Sequence, residues 1–184
     1  MKPAHAIRIE ALDERSFAPF GQMLGTPFPH DPDATAYGHP ASDFWHVHDF
    51  NPGAGGNTEL LWVNYRNAGL RVTSLEVHWL TEQAIVPLGV GLVHVVCPVR
   101  EDGSGLPDLT RLRAFRIDLG QGVCMHAGCW HASFVSGGQV TCMMLTRRST
   151  TKELVAHLAH GSVATETSMV ELASLDEAEW QLED

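Results

Sequence analysis

From Thr58 onward the chain alternates apolar and polar positions at a period of two, or runs apolar for short stretches between Gly- and Pro-rich breaks. TELLWVNYR (58–66), RVTSLEVHWL (71–80), AIVPLG (84–89), GLVHVVCPV (91–99), RLRAFRIDLG (111–120) and QVTCMMLTRR (139–148) read as strands. Their Val, Thr and aromatic residues suit a pleated, half-buried surface. QGVCMHAGCWHASFV (121–135) is broken by Gly and belongs to the same series. Many short strands with glycine-rich turns imply an antiparallel sandwich or barrel. The absence of strand–helix–strand alternation argues against a nucleotide-binding parallel sheet. Helices are expected only at the ends. ALDERSFAPFGQML gives a short one, opened by Leu12 or Asp13 and closed at Phe20-Gly21. TTKELVAHLAHG gives another, with Leu154, Val155 and Leu158 on one side and Gly161 as its stop, and SLDEAEWQLE a third. GTPFPHDPDATAYGHPASDF (25–44) should be loop. The expected organisation is one domain over 1–184, with the barrel at about 57–148 and a helical tail at about 150–184.

Composition narrows the partners. The 184 residues are 44% hydrophobic and 18% charged, enough for one globular core. A net charge of −10 makes nucleic acid and anionic membranes poor partners, leaving a small molecule. The longest apolar run, Val90–Val99, is too short to span a bilayer. MKPAHAIRIEALDERSF scatters its charges and holds no apolar signal core, so Cys97, Cys124, Cys129 and Cys142 are expected to be reduced thiols in the cytoplasm.

Two polar clusters interrupt the apolar strands. In SLEVHWL, Glu76 and His78 stand at i and i+2, on one face of a strand and about 6–7 Å apart. Gln83 follows. Some fifty residues later, MHAGCWH brings His126 and His131. Carboxylate and imidazole on one face can reach the same metal ion or substrate atom, and a histidine from a second strand completes the set. Other histidines invite plainer readings. Trp45–His48 (WHVH) places His46 and His48 at i and i+2 beside the loop, as a surface or subunit-contact pair. His94, in an apolar strand, reads as a hydrogen-bonded core histidine, and Met143, Met144 and Trp62 read as core packing.

The spacing resembles the two motifs of cupins, with Glu76 in place of the first His, His78 as the second, Gln83 for the Glu, and Gly128 and His131 in the second motif. That resemblance implies a mainly all-β, cupin-like antiparallel barrel. A closer resemblance is to the ureidoglycolate lyase family. Its Glu-x-His, the Gln five residues beyond, Pro-Leu, Pro-Asp-Leu, Leu-Arg-Ala-Phe, Gly-Gln-Gly-Val and Trp-His find counterparts in Glu76–His78, Gln83, Pro87-Leu88, PDLTRLRAF, GQGVCMH and CWH, and FAPFG also matches. The likeness runs from about Phe17 to Arg148. It implies a carbon–nitrogen lyase that splits ureidoglycolate, or a related ureido or hydroxy acid, into glyoxylate and urea.

In that frame Glu76 and His126 are the acid–base candidates; Arg66, Gln83 and Trp130 the substrate-binding ones; and His78, Gln83, His131 and Glu76 the ligands of a divalent nickel, zinc, manganese or iron ion. No organic cofactor is implied, and a homodimer is. The chain departs from the family at Val77, Trp79, Cys124, Met125, Ala127, Ala132 and Ser133. Those departures keep open a lyase for a different, more apolar substrate, and a non-catalytic small-molecule sensor.

Overall fold

The structure, a computed structural model, describes residues 5–66, 69–135, 137–175 and 180–184. Strand β1 (His5–Ala11) leads through the four-residue helix α1 (Glu14–Phe17) to β2 (Gly21–Leu24). A hairpin follows, β3 (Ala36–His39) and β4 (Ser42–Trp45). Next come β5 (Thr58–Tyr65), β6 (Arg71–Val72), β7 (Ser74–His78), β8 (Gln83–Pro87) and β9 (Leu92–Cys97). A 3₁₀ turn at Leu109–Arg111 precedes β10 (Arg113–Ile117), β11 (Gly122–Met125), β12 (Trp130–Phe134) and β13 (Val140–Arg147). The chain ends with α2 (Arg148–His160), β14 (Thr167–Glu171), a second 3₁₀ turn (Leu172–Leu175) and β15 (Trp180–Glu183).

Eight strands form one sheet in the order β14-β7-β12-β9-β10-β1-β15-β6, and five form another in the order β2-β11-β8-β13-β5. The expected antiparallel barrel is present, with two parallel pairings, β1 with β10 and β1 with β15. One residue, Thr73, joins β6 to β7, although β6 ends the eight-stranded order and β7 stands near its other end. That connection requires the sheet to curl back on itself.

Period-two alternation then divides the apolar residues between two cores. The inner core lies between the sheets and holds Phe17, Phe20, Ile85, Leu92, Phe115, Val123 and Met125. The outer core lies within the curl and holds Val72, Leu75, Val77, Val95, Trp130, Phe134, Leu172 and Leu182. Asp13 starts α1 by accepting the Ser16 amide at 3.0 Å, and so swings Phe17 and Phe20 under Phe115.

Several expectations change. The helix near Asp13 is one turn long because β1 and β2 take the residues around it. Part of the 25–44 loop pairs as the β3–β4 hairpin. The C-terminal segment is not a helical tail: β14 pairs with β7, and β15 lies parallel to β1 with Leu182 in the outer core. Residues 176–179 of the third expected helix lie outside the described residues. Helix α2 ends at Gly161 as expected, with φ of 67°, but Val155 and Leu158 are exposed. Trp62 is 58% exposed on the outer face of β5 instead of packing in the core, while Met144 is buried.

Phe115 is fully buried and meets Phe17 edge-on at 5.4 Å and Phe20 at 6.1 Å. Truncating it leaves a cavity between α1 and the sheet that neither ring can close. Phe115→Ala is expected to lower stability by about 3–5 kcal/mol in urea unfolding; a loss within ~1 kcal/mol would show that the helix does not brace the inner core.

Candidate active site

Strand β7 carries the first half of the site. Leu75 and Val77 enter the outer core, so Glu76 and His78 face inward. On β12, Trp130 and Phe134 enter the outer core, so His131 and Ser133 face inward. The register of the two strands sets Glu76 directly opposite His131. On the other side of β7, β14 sets Met169 opposite Glu76 and Thr167 opposite His78. Gly128, at φ 81°, bends the chain entering β12 so that its amide donates to the His78 carbonyl at 2.8 Å. That bond docks the second motif onto the end of the first.

The side chains converge accordingly. His131 Nε2 lies 3.3 Å from Glu76 Oε1, and the His78 and His131 ring centroids are 5.3 Å apart. One donor atom from each of Glu76, His78 and His131 falls within 4.8 Å of the others. His78 Nδ1 bonds the Thr167 hydroxyl at 3.0 Å, and His131 Nδ1 donates to the Cys129 carbonyl at 3.0 Å. A carbonyl only accepts, so it fixes the His131 proton on Nδ1 and leaves the Nε2 lone pair toward Glu76. That Nε2 atom is buried and, among the described residues, forms no aligned hydrogen bond. A lone pair facing a carboxylate is completed by a proton or a cation. The donor set therefore fits a divalent metal ion, held by Glu76, His78 and His131.

Electrostatics follow from burial. Burial pushes the Glu76 carboxyl up, but the His131 contact and the positive potential of His131, His78 and His94 prevail and hold it at about 2. Burial, reinforced by His131, lowers His78 to about 4 and His94 to about 3. Glu76 is thus a carboxylate and both histidines are neutral at pH 7.

A cavity of about 310 Å³ opens on this cluster, lined by Arg71, Ser74, Glu76, His131, Ser133 and Met169 among others. The other candidates lie elsewhere. Gln83 is buried on the inner face, opposite Met125 rather than in register with Glu76. Trp130 faces away from His131, edge-on to Trp79, with its indole N–H on the Gly105 carbonyl at 3.1 Å, outside the cavity lining. His126 is exposed in the turn after β11. Arg66 is exposed beyond β5 and bonds Gln139 at 2.6 Å, outside the cavity lining.

Residues passed over in the sequence stand closer. His94 is 5.6 Å from the His131 ring, its Nδ1 on Ser133 Oγ at 3.0 Å and its Nε2 against Met125 Sδ at 2.9 Å. It is the hydrogen-bonded core histidine expected, yet it forms the wall behind His131. Burial pushes the Tyr65 hydroxyl up, Ser133 opposes, and the Glu76 charge adds to the rise, so Tyr65 also belongs to this wall. Arg71 replaces Arg66 as the cation at the cavity. Strand alternation in VNYRN and GLVHVVC could have exposed Tyr65 and His94, had the partner strands been known.

His78 and His94 bind protons in the unfolded chain below about pH 6.5 but only near 4 and 3 when folded. The unfolded state therefore holds more protons below pH 6.5, and stability falls as pH drops. Glu76 adds to this lower down, between its ordinary 4.5 and about 2. Thermal melts should show Tm constant above about pH 7 and falling from about 6.5 toward 4. A Tm unchanged from pH 7 to 5 would mean that the two rings are not buried neutral.

Comparison with known proteins bears on the family. The chain is 34% identical over 127 residues to a ureidoglycolate lyase of Rhodobacter capsulatus, covering 68% of this chain and 75% of that protein. Among solved structures, a 3′-monoepimerase from Streptomyces bikiniensis in complex with dTDP aligns over 82% of this chain and 76% of its own at 13% identity, with a TM-score of 0.41. A dTDP-4-dehydrorhamnose 3,5-epimerase from Bacillus anthracis aligns over 67% and 76% at 14% identity, with a TM-score of 0.39. Likenesses that partial bear on neither substrate nor mechanism. The sequence profile of ureidoglycolate lyases matches residues 4–166, most of the chain, and the protein belongs to the ureidoglycolate lyase family.

Proposed function

We propose that this chain cleaves ureidoglycolate to glyoxylate and urea in the cavity at Glu76 and His131. The observation that carries the reading is the buried, unsatisfied His131 Nε2 facing the Glu76 carboxylate at a cavity wall. In the reaction the substrate hydroxyl loses its proton, the carbon–nitrogen bond breaks as the aldehyde carbonyl forms, and the departing urea nitrogen gains a proton. One positioned group can make both transfers.

His131, with its lone pair on Nε2, takes the hydroxyl proton; the Glu76 carboxylate stabilises the resulting imidazolium; and the proton returns to the urea nitrogen. Arg71, on the same cavity, faces the substrate carboxylate. Glu76, His78 and His131 also suit a divalent cation, which when bound would acidify the substrate hydroxyl and so supply what His131 otherwise does. Thr167 and the Cys129 carbonyl hold the two imidazoles in the orientation either chemistry needs. Gln83, buried opposite Met125, and exposed His126 are left as supporting rather than reacting groups.

The same reading includes a homodimer in a reducing compartment. The four cysteines are free and buried. No helix among the described residues is long and apolar enough to cross a membrane. Strand β5 ends the five-stranded sheet, with Leu60 57% and Trp62 58% exposed on its outer face. A second copy covering that face buries both and pairs the open edge.

Glyoxylate release from ureidoglycolate is the direct test. Wild type should turn over, and His131→Ala should lose roughly 10²–10⁴-fold in kcat. Binding of ureidoglycolate without turnover would return the protein to the sensor reading. Elemental analysis of wild type and His131→Ala separates the two chemistries: a stoichiometric metal present in the first and lost in the second assigns the cation, and a metal-free active wild type assigns His131 as the base. For assembly, light scattering should give a dimer for wild type and a monomer for Trp62→Arg; a wild-type monomer at micromolar concentration removes the interface.

A further inference from the structure

A second cluster of metal-ligating side chains lies outside the cavity. The segment after β4, HVHDFNPGAGG, crosses the turn between β7 and β8. His46 meets Asp49 at 3.3 Å on the solvent side, whereas His48 turns inward and its Nε2 reaches Glu82 Oε2 at 2.8 Å. Cys124 Sγ approaches the same oxygen at 3.7 Å. The three donor atoms lie within 4.8 Å of one another. Cys124 alternates with Val123 and Met125, which enter the inner core, so its thiol faces away from the barrel interior. Its register partner on β8 is Ala84, whose small side chain leaves the thiol room beneath the crossing segment.

The crossing segment is built to hold that carboxylate still. The Asn51 amide donates to Glu82 Oε2 at 2.9 Å, and the Glu82 amide donates to the Asn51 carbonyl at 3.1 Å. Gly53 makes the close approach: at φ 77°, any Cβ there would sit 1.8 Å from the Leu80 carbonyl oxygen. The Asn51 side chain caps the Gly53 amide at 2.9 Å, and Arg147 binds the Pro52 and Ala54 carbonyls at 3.1 Å each. These bonds leave His48 and Glu82 only a quarter or less exposed, and Cys124 buried.

We propose that His48, Glu82 and Cys124 form a second divalent-cation site, of zinc type, that clamps residues 46–53 onto the outer face of the five-stranded sheet. Thiolate, imidazole and carboxylate together make a borderline-soft set that suits zinc or cobalt(II) and not magnesium or calcium. Three protein ligands leave a fourth position for water. Ligand atoms in a tetrahedral zinc site stand about 3.3–3.7 Å apart given bonds of about 2.0–2.3 Å. The His48–Glu82 contact therefore widens slightly as the cation enters. In the cation-free protein both Nε2–H and S–H are directed at Glu82. On binding, the cation takes the place of the thiol proton, which passes to solvent. His48 keeps one proton, moved to Nδ1, so one proton is released per cation. Burial and the adjacent Glu82 charge hold the Cys124 thiol at about 12, so only a cation makes this sulfur a thiolate at neutral pH.

The sulfur separates this site from the cavity cluster, which has none. Chelator-treated full-length protein titrated with cobalt(II) should develop a sulfur-to-cobalt charge-transfer band in the near ultraviolet, with about one proton released per bound ion. The band should disappear in Cys124→Ser and in His48→Gln, and persist at full intensity in His131→Ala. Far-ultraviolet circular dichroism confirms that each variant is folded, and His48→Gln, on the crossing segment, serves if Cys124→Ser does not fold. A wild type that shows no thiolate band at saturating cobalt, or a band that survives Cys124→Ser, overturns the site. Neither result bears on ureidoglycolate turnover, so this site and the lyase reading fail separately.

Discussion

The site depends on one cross-strand pair, Glu76 opposite His131. Period two makes such a pair all-or-none: a slip of one residue between β7 and β12 would turn both side chains into the outer core and bring Val77 and Ala132 inside. The outer core therefore guards the chemistry. Leu75 and Val77 on β7 and Trp130 and Phe134 on β12 are buried within the curl of the eight-stranded sheet, and a one-residue slip of either strand would expel its pair from that core. Leu182 of β15 and Leu172 of the last 3₁₀ turn close that curl from the C-terminal side. The terminal strands, which carry no reacting group, thus keep Glu76 and His131 facing each other.

Much of this was legible in the sequence, because strands are written as alternation. The central strands and the inward pair Glu76 and His78 follow from it, as does the arrival of His131 on a second strand. What stayed hidden has physical causes. Strands β1 and β15 pair in parallel with each other across almost the whole chain, and short segments carry no mark of a distant partner. SLDEAEWQLE has a composition that suits a helix, but Leu182 and Trp180 are drawn to the outer core and the tertiary contact overrides propensity. Trp62 alternates like a core residue, yet β5 is an edge strand and, among the described residues, its outer face is left exposed at Leu60 and Trp62. His94 is the hydrogen-bonded core histidine its apolar strand implies, but only the pairing of β9 with β12 shows it standing beside His131.

The departures from the family also take on a different weight once faces are assigned. Val77 and Ala132 belong to the outer core, and Trp79 packs edge-on against Trp130. Val77 and Trp79 stand outside the cavity lining, whereas Ala132 is part of it. Cys124 points away from the inner core altogether. Of the inward positions, Met125 and Ser133 both touch His94, one at each ring nitrogen. The change is thus concentrated around His131, at Ala132 and Ser133 on the cavity lining and at Met125 behind the ring, while Glu76, His78 and His131 themselves are kept. Ala132 and Ser133 therefore carry the case for a different, more apolar substrate, and Val77, Trp79 and Cys124 do not.

That concentration bears on how His131 works. Burial is what keeps His94 from carrying charge, and Met125, a weak acceptor with no hydrogen to give, can only receive the Nε2–H of that ring. His94 stays neutral beside His131, and so does His78 on the other side. Three imidazoles within a few ångströms can share at most one charge without strong repulsion. All three rings are buried, and His131 alone meets the carboxylate directly, at 3.3 Å. Positive charge, whether a proton or a metal ion, is therefore directed to the gap between His131 and Glu76, which is where the cavity opens.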